Sequence, residues 1–305
     1  MRLDDYDNDI DVGEAQSGGG GGFGGGGGGL LFGLLPLIGS RFGCGGIVVV
    51  LIILAVVGMN PLSLLTGGGS GNAPVTQRAG SSGSEGARQT CEASPERREA
   101  CQAFSNAENT WEKIFADNGQ RFSAPGLRFF RPGADSVTSG CGTAPSAAGP
   151  FYCPSDRRIY LDTRFFDELA NKFGAKGDFA RNYVIAHEFG HHIQTLLGTS
   201  DQVRRAQQAA GEAQGNALSV RLELQADCYA GVWAAKNRDR LEPGDVEEGM
   251  TAARAIGDDT LQRESTGRVV PDSFTHGSSE QRMRWLRRGM ETGDPAQCDT
   301  FSGAI

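Results

Sequence analysis

Three of the four histidines in this sequence fall between positions 187 and 192, in the run His187-Glu188-Phe189-Gly190-His191-His192. On a helix, positions i and i+4 share a face, so the imidazoles of His187 and His191 stand one turn apart and can close on a single metal ion. Glu188, one residue on, reaches a water on that ion rather than the ion itself, which is where a general base belongs. Catalytic zinc usually has three protein ligands and an open fourth position, so the chain has to supply a third ligand. Glu223, in Glu223-Leu224-Gln225-Ala226-Asp227, is the candidate. Asp227 stands one turn further on, placed to accept the remaining N–H of a ligating histidine, a partner that metal-bound histidines usually need. The competing reading is two carboxylates on a solvated helix face. Leu222, Leu224, Ala226 and the apolar stretch 228–235 weigh against it. His192 points to another face and reads as a packing residue. His276 lies in a loop before a helical stretch; it could donate to the oxyanion of a tetrahedral intermediate, with Arg282 steadying it or binding substrate. A loop histidine capping the next helix is the alternative.

These residues need rigid elements beneath them. Apolar residues at steps of three or four, from Phe179 through Tyr183, Ala186, Phe189 and Ile193 to Leu197, predict a helix starting near Asp178 and stopping at Gly198. A second helix is predicted from about 217 to 236, and others near 245–264 and 279–290. Ser94-Pro95 offers an N-cap and a first-turn proline for a helix running to Phe115. Phe151-Tyr152-Cys153 and Ile159-Tyr160-Leu161, flanking Pro154-Ser155-Asp156, read as a hairpin. The strand 158–162 is taken as an edge along which an extended peptide could pair. The expected fold class is α+β, mostly helical, with a small sheet.

Composition divides the chain. Residues 1–42 read as an acidic opening, solvated over 4–14, and then a glycine-rich tail; residues 63–88 read as a Gly/Ser-rich linker; residues 89–305 read as the folded domain. The run Ile47-Val-Val-Val-Leu-Ile-Ile-Leu-Ala-Val-Val57 carries no charge, and 43–62 is read as one transmembrane helix in contact with membrane lipid. A signal peptide fits poorly, because more than 40 residues precede the run and they are acidic, and a buried core strand or helix fits poorly, because glycine-rich tethers isolate the run on both sides. Arg41 precedes the helix and the next basic residue is Arg78, which favours a cytoplasmic N-terminus and an extracytoplasmic domain at a bacterial inner membrane. Cys91, Cys101, Cys141, Cys153, Cys228 and Cys298 lie in the domain. The short spacings suggest Cys91–Cys101 and Cys141–Cys153 disulfides in an oxidising compartment, leaving Cys228 with Cys298; scattered reduced thiols are the alternative. The net charge of −8 and the lack of a basic block argue against a nucleic-acid partner.

The stretches Ala186-His-Glu-Phe-Gly-His-His-Ile-Gln194 and Glu223-Leu-Gln-Ala-Asp-Cys-Tyr-Ala-Gly-Val-Trp233 resemble the bacterial putative neutral zinc metallopeptidase family. So do Gly149-Pro-Phe-Tyr-Cys-Pro154, Ile159-Tyr-Leu-Asp162 and His276-Gly-Ser-Ser-Glu-Gln-Arg282. More distantly the layout is similar to gluzincins such as thermolysin. The resemblance implies a zincin-like domain behind a single membrane helix and peptidase chemistry, but no particular substrate. The expectation is therefore a membrane-anchored metalloendopeptidase holding one Zn²⁺ per chain on His187, His191 and Glu223. Glu188 acts as general base, His276 stabilises the oxyanion, and the substrate is a peptide or protein. A zinc-binding envelope scaffold without turnover is the rival reading, against which the intact Glu188 argues.

Overall fold

The computed structural model describes residues 1–17 and 84–305. Two short strands, β1 (Val12–Glu14) and β2 (Gln16–Ser17), precede helices α1 (Ser84–Cys91) and α2 (Pro95–Asp117). Five strands follow: β3 (Gly126–Phe129), β4 (Ser136–Ser139), β5 (Gly142–Pro145), β6 (Phe151–Cys153) and β7 (Arg158–Leu161). The rest is helical: α3 (Arg164–Asn171), α4 (Asp178–Leu196), α5 (Thr199–Ala209), α6 (Glu212–Lys236), α7 (Asp245–Ala255), α8 (Asp258–Thr266) and α9 (Ser279–Thr292). The architecture is thus α+β and mostly helical.

Helix ends follow local chemistry. Ser94 caps α2 by accepting the Arg97 N–H, with Pro95 in the first turn where a missing donor costs nothing. Helix α9 opens with a reciprocal pair, in which Ser278 accepts from the Gln281 N–H and the Gln281 side chain accepts from the Ser278 N–H. Helix α4 stops where expected, Gly198 taking the left-handed conformation that favours glycine. Helix α6 begins at Glu212, earlier than its apolar pattern indicates, because its first turns are polar and half exposed. The stretch 245–264 breaks into α7 and α8 at Gly257, where a Cβ would lie 2.4 Å from the Ser279 nitrogen. No side chain fits there.

The larger sheet has the order β1-β3-β7-β6, parallel except for the β6–β7 hairpin, and β2-β4-β5 form a second, antiparallel sheet. Strand β7 pairs with β3 on one side and β6 on the other. The expectation that 158–162 offers a free edge is therefore wrong; β6 is the edge on that side. Helix α4 runs through the centre, buried over most of its circumference from Phe179 to Gln194. Phe189 meets Phe104 of α2 edge to face with ring centroids 5.6 Å apart.

The acidic opening is not a solvated tail. β1 lies parallel to β3 in the register Val12↔Leu127 to Glu14↔Phe129, and Met1, Tyr6 and Ile10 are buried in the main core. The sequence misleads because charge dominates this stretch, while the few apolar residues that decide burial are spaced for no regular helix. Burying a side chain such as Ile10 is worth about 1.5–3 kcal/mol. Residues 1–17 thus belong to the folded unit and not to a tail, and helix α1 already runs from Ser84, ahead of the domain start expected at 89. The Met1 amino group donates to Asp178 and Asp245 at 2.9 Å each, next to Glu248, so this second set of clustered carboxylates already holds a cation. The transmembrane helix expected at 43–62 lies outside the described residues. Among the described residues no helix is long and apolar enough to cross a membrane.

Disulfides join Cys91 to Cys101, Cys141 to Cys153 and Cys228 to Cys298. The last ties α6 to the segment after α9. These two helices cross backbone to backbone: a Cβ on Gly289 would sit 2.0 Å from the Cys228 carbonyl oxygen, and one on Gly231 2.2 Å from that of Leu286. Gly289→Ala is accordingly expected to lower the unfolding free energy by about 1–3 kcal/mol, the usual cost of overpacking. Chemical denaturation measures it, and an unchanged midpoint would contradict the close crossing.

Candidate metal centre

Helices α4 and α6 cross at a second close contact. A Cβ on Gly190 would lie 3.0 Å from the Ala226 carbonyl oxygen, so the glycine inside the His187–His191 turn lets the α6 backbone approach. That approach brings Glu223 to the histidines. Its carboxylate is 3.1 Å from His187 Nε2 and 3.5 Å from His191 Nε2. One donor atom from each of His187, His191 and Glu223 falls within a mutual 4.8 Å. Two imidazole nitrogens and one carboxylate oxygen suit Zn²⁺ chemically, and these residues therefore fit the ion.

Both rings are fixed from behind. Asp227, fully buried, lies 2.7 Å from His187 Nδ1. Its carboxylate also accepts from the Tyr183 hydroxyl at 2.6 Å and from Arg282 Nε and Nη2 at 2.8 Å each. His191 Nδ1 lies 2.8 Å from Gln194 Oε1, an acceptor only. With both Nδ1 atoms as donors, both Nε2 lone pairs would face an ion held between them and Glu223 once the rings lose their second proton. Glu188 is buried beside them. His192 turns away, tied to the Ser123 carbonyl at 2.7 Å and the Tyr152 hydroxyl at 3.0 Å, so it fastens strand β6 and the loop before β3 onto α4.

His276 is brought to the same place by a loop that packs on α6. Gly277, at φ 88°, sits against Val220 and Leu224, on the turn that carries Glu223. Asp258 organises the loop: its Oδ2 accepts the N–H groups of Thr275, His276 and Gly277 at 2.7, 2.6 and 3.1 Å, while its Oδ1 is 3.2 Å from His276 Nδ1. Arg282 does not line an open surface; it is buried against Asp227 and the Ile256 carbonyl.

A family model described as "Putative neutral zinc metallopeptidase" matches residues 1–301. The chain belongs to that family. It is 45% identical over 271 residues to the uncharacterized protein YpfJ of Escherichia coli K12, covering 86% of this chain and 88% of the relative. To the uncharacterized protein Rv2575 of Mycobacterium tuberculosis H37Rv it is 47% identical over 196 residues, 60% of this chain and 64% of the relative. No solved structure matches significantly. The family description and the donor set agree in pointing to zinc.

The charges in this family member are strongly coupled. Burial alone would lower His191, but the charge and hydrogen bond of Glu223, with Glu188 and Gln194 adding to them, raise its pKa to about 9. His187 is raised too, burial being outweighed by Asp227 and Glu223. Burial would lift Glu223, yet the two histidines hold it well below the usual carboxylate range. Asp227 drops to about 2 because Arg282 and His187 overcome its burial. His192, by contrast, is pushed by burial to about 4 and stays neutral.

Four of the positioning residues have no such role in the sequence reading. Tyr183 precedes His187 by one helical turn, a spacing that could have flagged it. Gln194 follows His191 by three residues with a similar local signal. Gln225, which receives the Gln194 amide at 3.2 Å and donates to the Cys298 carbonyl at 3.0 Å, shows its role only once the disulfide partner is in place. Asp258 has no local signal at all, being linked to His276 solely through the loop.

Two outcomes follow from this geometry. Gln194→Leu frees the His191 ring and should weaken zinc binding about 10–100-fold, as loss of a ligand's hydrogen-bond partner typically does; chelator competition reads it, and unchanged affinity would contradict the positioning role. In the metal-free protein the proton on His191 stabilises the fold fully below pH 6.5, and that contribution is lost as pH rises through about 9. Zinc needs the deprotonated ring, so its affinity should climb from pH 6.5 to about 9 with proton release near neutrality. Calorimetry in buffers of different ionisation enthalpy checks this; a flat profile with no proton release opposes it.

Proposed function

We propose that this chain is a zinc-dependent hydrolase of peptide bonds, with a zincin-like domain in which His187, His191 and Glu223 hold one Zn²⁺. The observation that carries the reading is the convergence of three donors from two crossing helices, with each imidazole backed at Nδ1. When bound, the ion would supply Lewis acidity, activating a water and polarising the substrate carbonyl.

The chain's own residues do the rest. Glu188, one position along the helix from His187, takes the proton of the attacking water and delivers it to the leaving amine. His276 donates its Nδ1–H to Asp258, and because burial is outweighed by Asp258 and Glu223, which raise its pKa, the charged ring also carries an Nε2–H for the oxyanion that develops on the carbonyl. Arg282 is a positioning residue in this scheme. Its two bonds to Asp227 keep that carboxylate ionised, which fixes the His187 tautomer. The extended substrate pairs along β6, the sheet edge fastened to α4 through Tyr152 and His192.

Glu188→Gln should retain stoichiometric zinc while losing hydrolysis by about 10²–10⁴-fold, the range of a general base. Metal analysis beside cleavage of a peptide library measures both. A variant that cleaves like the parent would remove Glu188 from the mechanism, and a parent that binds zinc but cleaves nothing would favour a binding scaffold.

A further inference from the structure

The N-terminal arm and the catalytic body are one folded unit, although a long apolar stretch of sequence separates them. The arm is built in at several independent points. β1 completes the sheet against β3, with the Leu127 N–H donating to the Asp11 carbonyl at 2.7 Å and the Ala15 N–H to that of Phe129 at 2.7 Å. β2 pairs with β4 in the second sheet. Asp11 meets Arg128 at 2.7 Å, Glu14 meets the buried side chain of Arg97, and the Tyr6 hydroxyl donates to Glu92 at 2.9 Å. Ile10 enters the main core and Ala15 the smaller one beside Val137 and Tyr160. The chain resumes at α1, which packs on β1 and is held to α2 by the Cys91–Cys101 disulfide. The family match likewise begins at residue 1, within the arm.

A strand hydrogen-bonded into a sheet lies on the same side of any bilayer as that sheet, since the hydrocarbon core leaves unpaired backbone groups unsatisfied. A single crossing between Ser17 and Ser84 would put β1 and β3 on opposite sides. We propose that residues 1–17 and 84–305 stand on the same side of any membrane this protein meets. This replaces the arrangement with the N-terminus inside and the domain outside. Three disulfides favour an oxidising compartment, so the shared side is extracytoplasmic.

Cysteine labelling in whole bacterial cells tests this on the full chain carrying Cys44→Ser. Asn8 in the arm and Arg205 on α5 are both exposed, and each is replaced by cysteine in turn. A membrane-impermeant maleimide is applied to intact cells, to permeabilised cells and, for the total, in detergent. The proposal expects Asn8→Cys and Arg205→Cys to react in the same fraction, and both in intact cells. Reaction of Arg205→Cys in intact cells with Asn8→Cys protected until permeabilisation, or the reverse, would overturn it. Reaction of both only after permeabilisation would keep the shared side and overturn the extracytoplasmic assignment. Should Asn8→Cys fail to accumulate, Asp9→Cys, also exposed, reports the same arm.

Discussion

The close crossing of α4 and α6 is the constraint on which the site depends. Gly190 and Ala226 meet so closely that an added carbon would have to push the backbones apart, and this approach brings a carboxylate from one helix to two imidazoles on the other. The elements around this crossing hold it in place. Helix α9 presses α6 from the far side through Gly231 and Gly289, the Cys228–Cys298 disulfide pins the C-terminal segment to α6, and α2 covers α4 through Phe104 and Phe189. Rigid packing of this kind gives a donor set its precision, because close-packed interiors do not deform continuously.

Placing so many ionisable groups at one buried point is costly unless each has a partner. The structure meets that requirement by sharing. Asp227 is surrounded by donors from His187, Tyr183 and both sides of the Arg282 guanidinium, so its charge is compensated without solvent. Glu223 is held ionised by the histidines it faces. Truncating one member of such a network leaves its partners exposed to the full burial penalty. Arg282 therefore matters to the metal centre although it lies behind it. The disulfide reaches the centre as well, since Cys298 accepts from Gln225, which in turn receives the Gln194 amide that backs His191.

Much of this was legible in the sequence, for physical reasons. His187, Glu188 and His191 declare themselves because a helix converts a five-residue spacing directly into a shared face. Glu223 and Asp227 do so by the same geometry, and the hairpin around Pro154-Ser155-Asp156 announces itself through turn chemistry and β-rich flanks. What could not be read depends on long-range pairing. The place of β7 inside the sheet requires knowing that β3 lies beside it, and the role of Asp258 requires the loop that folds back from Thr275. Arg282 is read from sequence as steadying His276 or binding substrate, because its neighbour in the chain is the His276 loop, whereas its distant partner Asp227, which only the fold brings near, sets its orientation. The arm of residues 1–17 was misread for the same reason: composition reports average solubility, and docking is decided by a few apolar side chains and a strand edge.

Local structure around a bound zinc ion tests the central claim most directly. X-ray absorption at the zinc edge of the stoichiometrically loaded protein should report two imidazole nitrogens at about 2.0–2.1 Å with carboxylate or water oxygen completing a low-coordination shell. An all-oxygen shell, a sulfur shell, or an unchanged spectrum when Glu223 is replaced by alanine would contradict the site built here from two crossing helices.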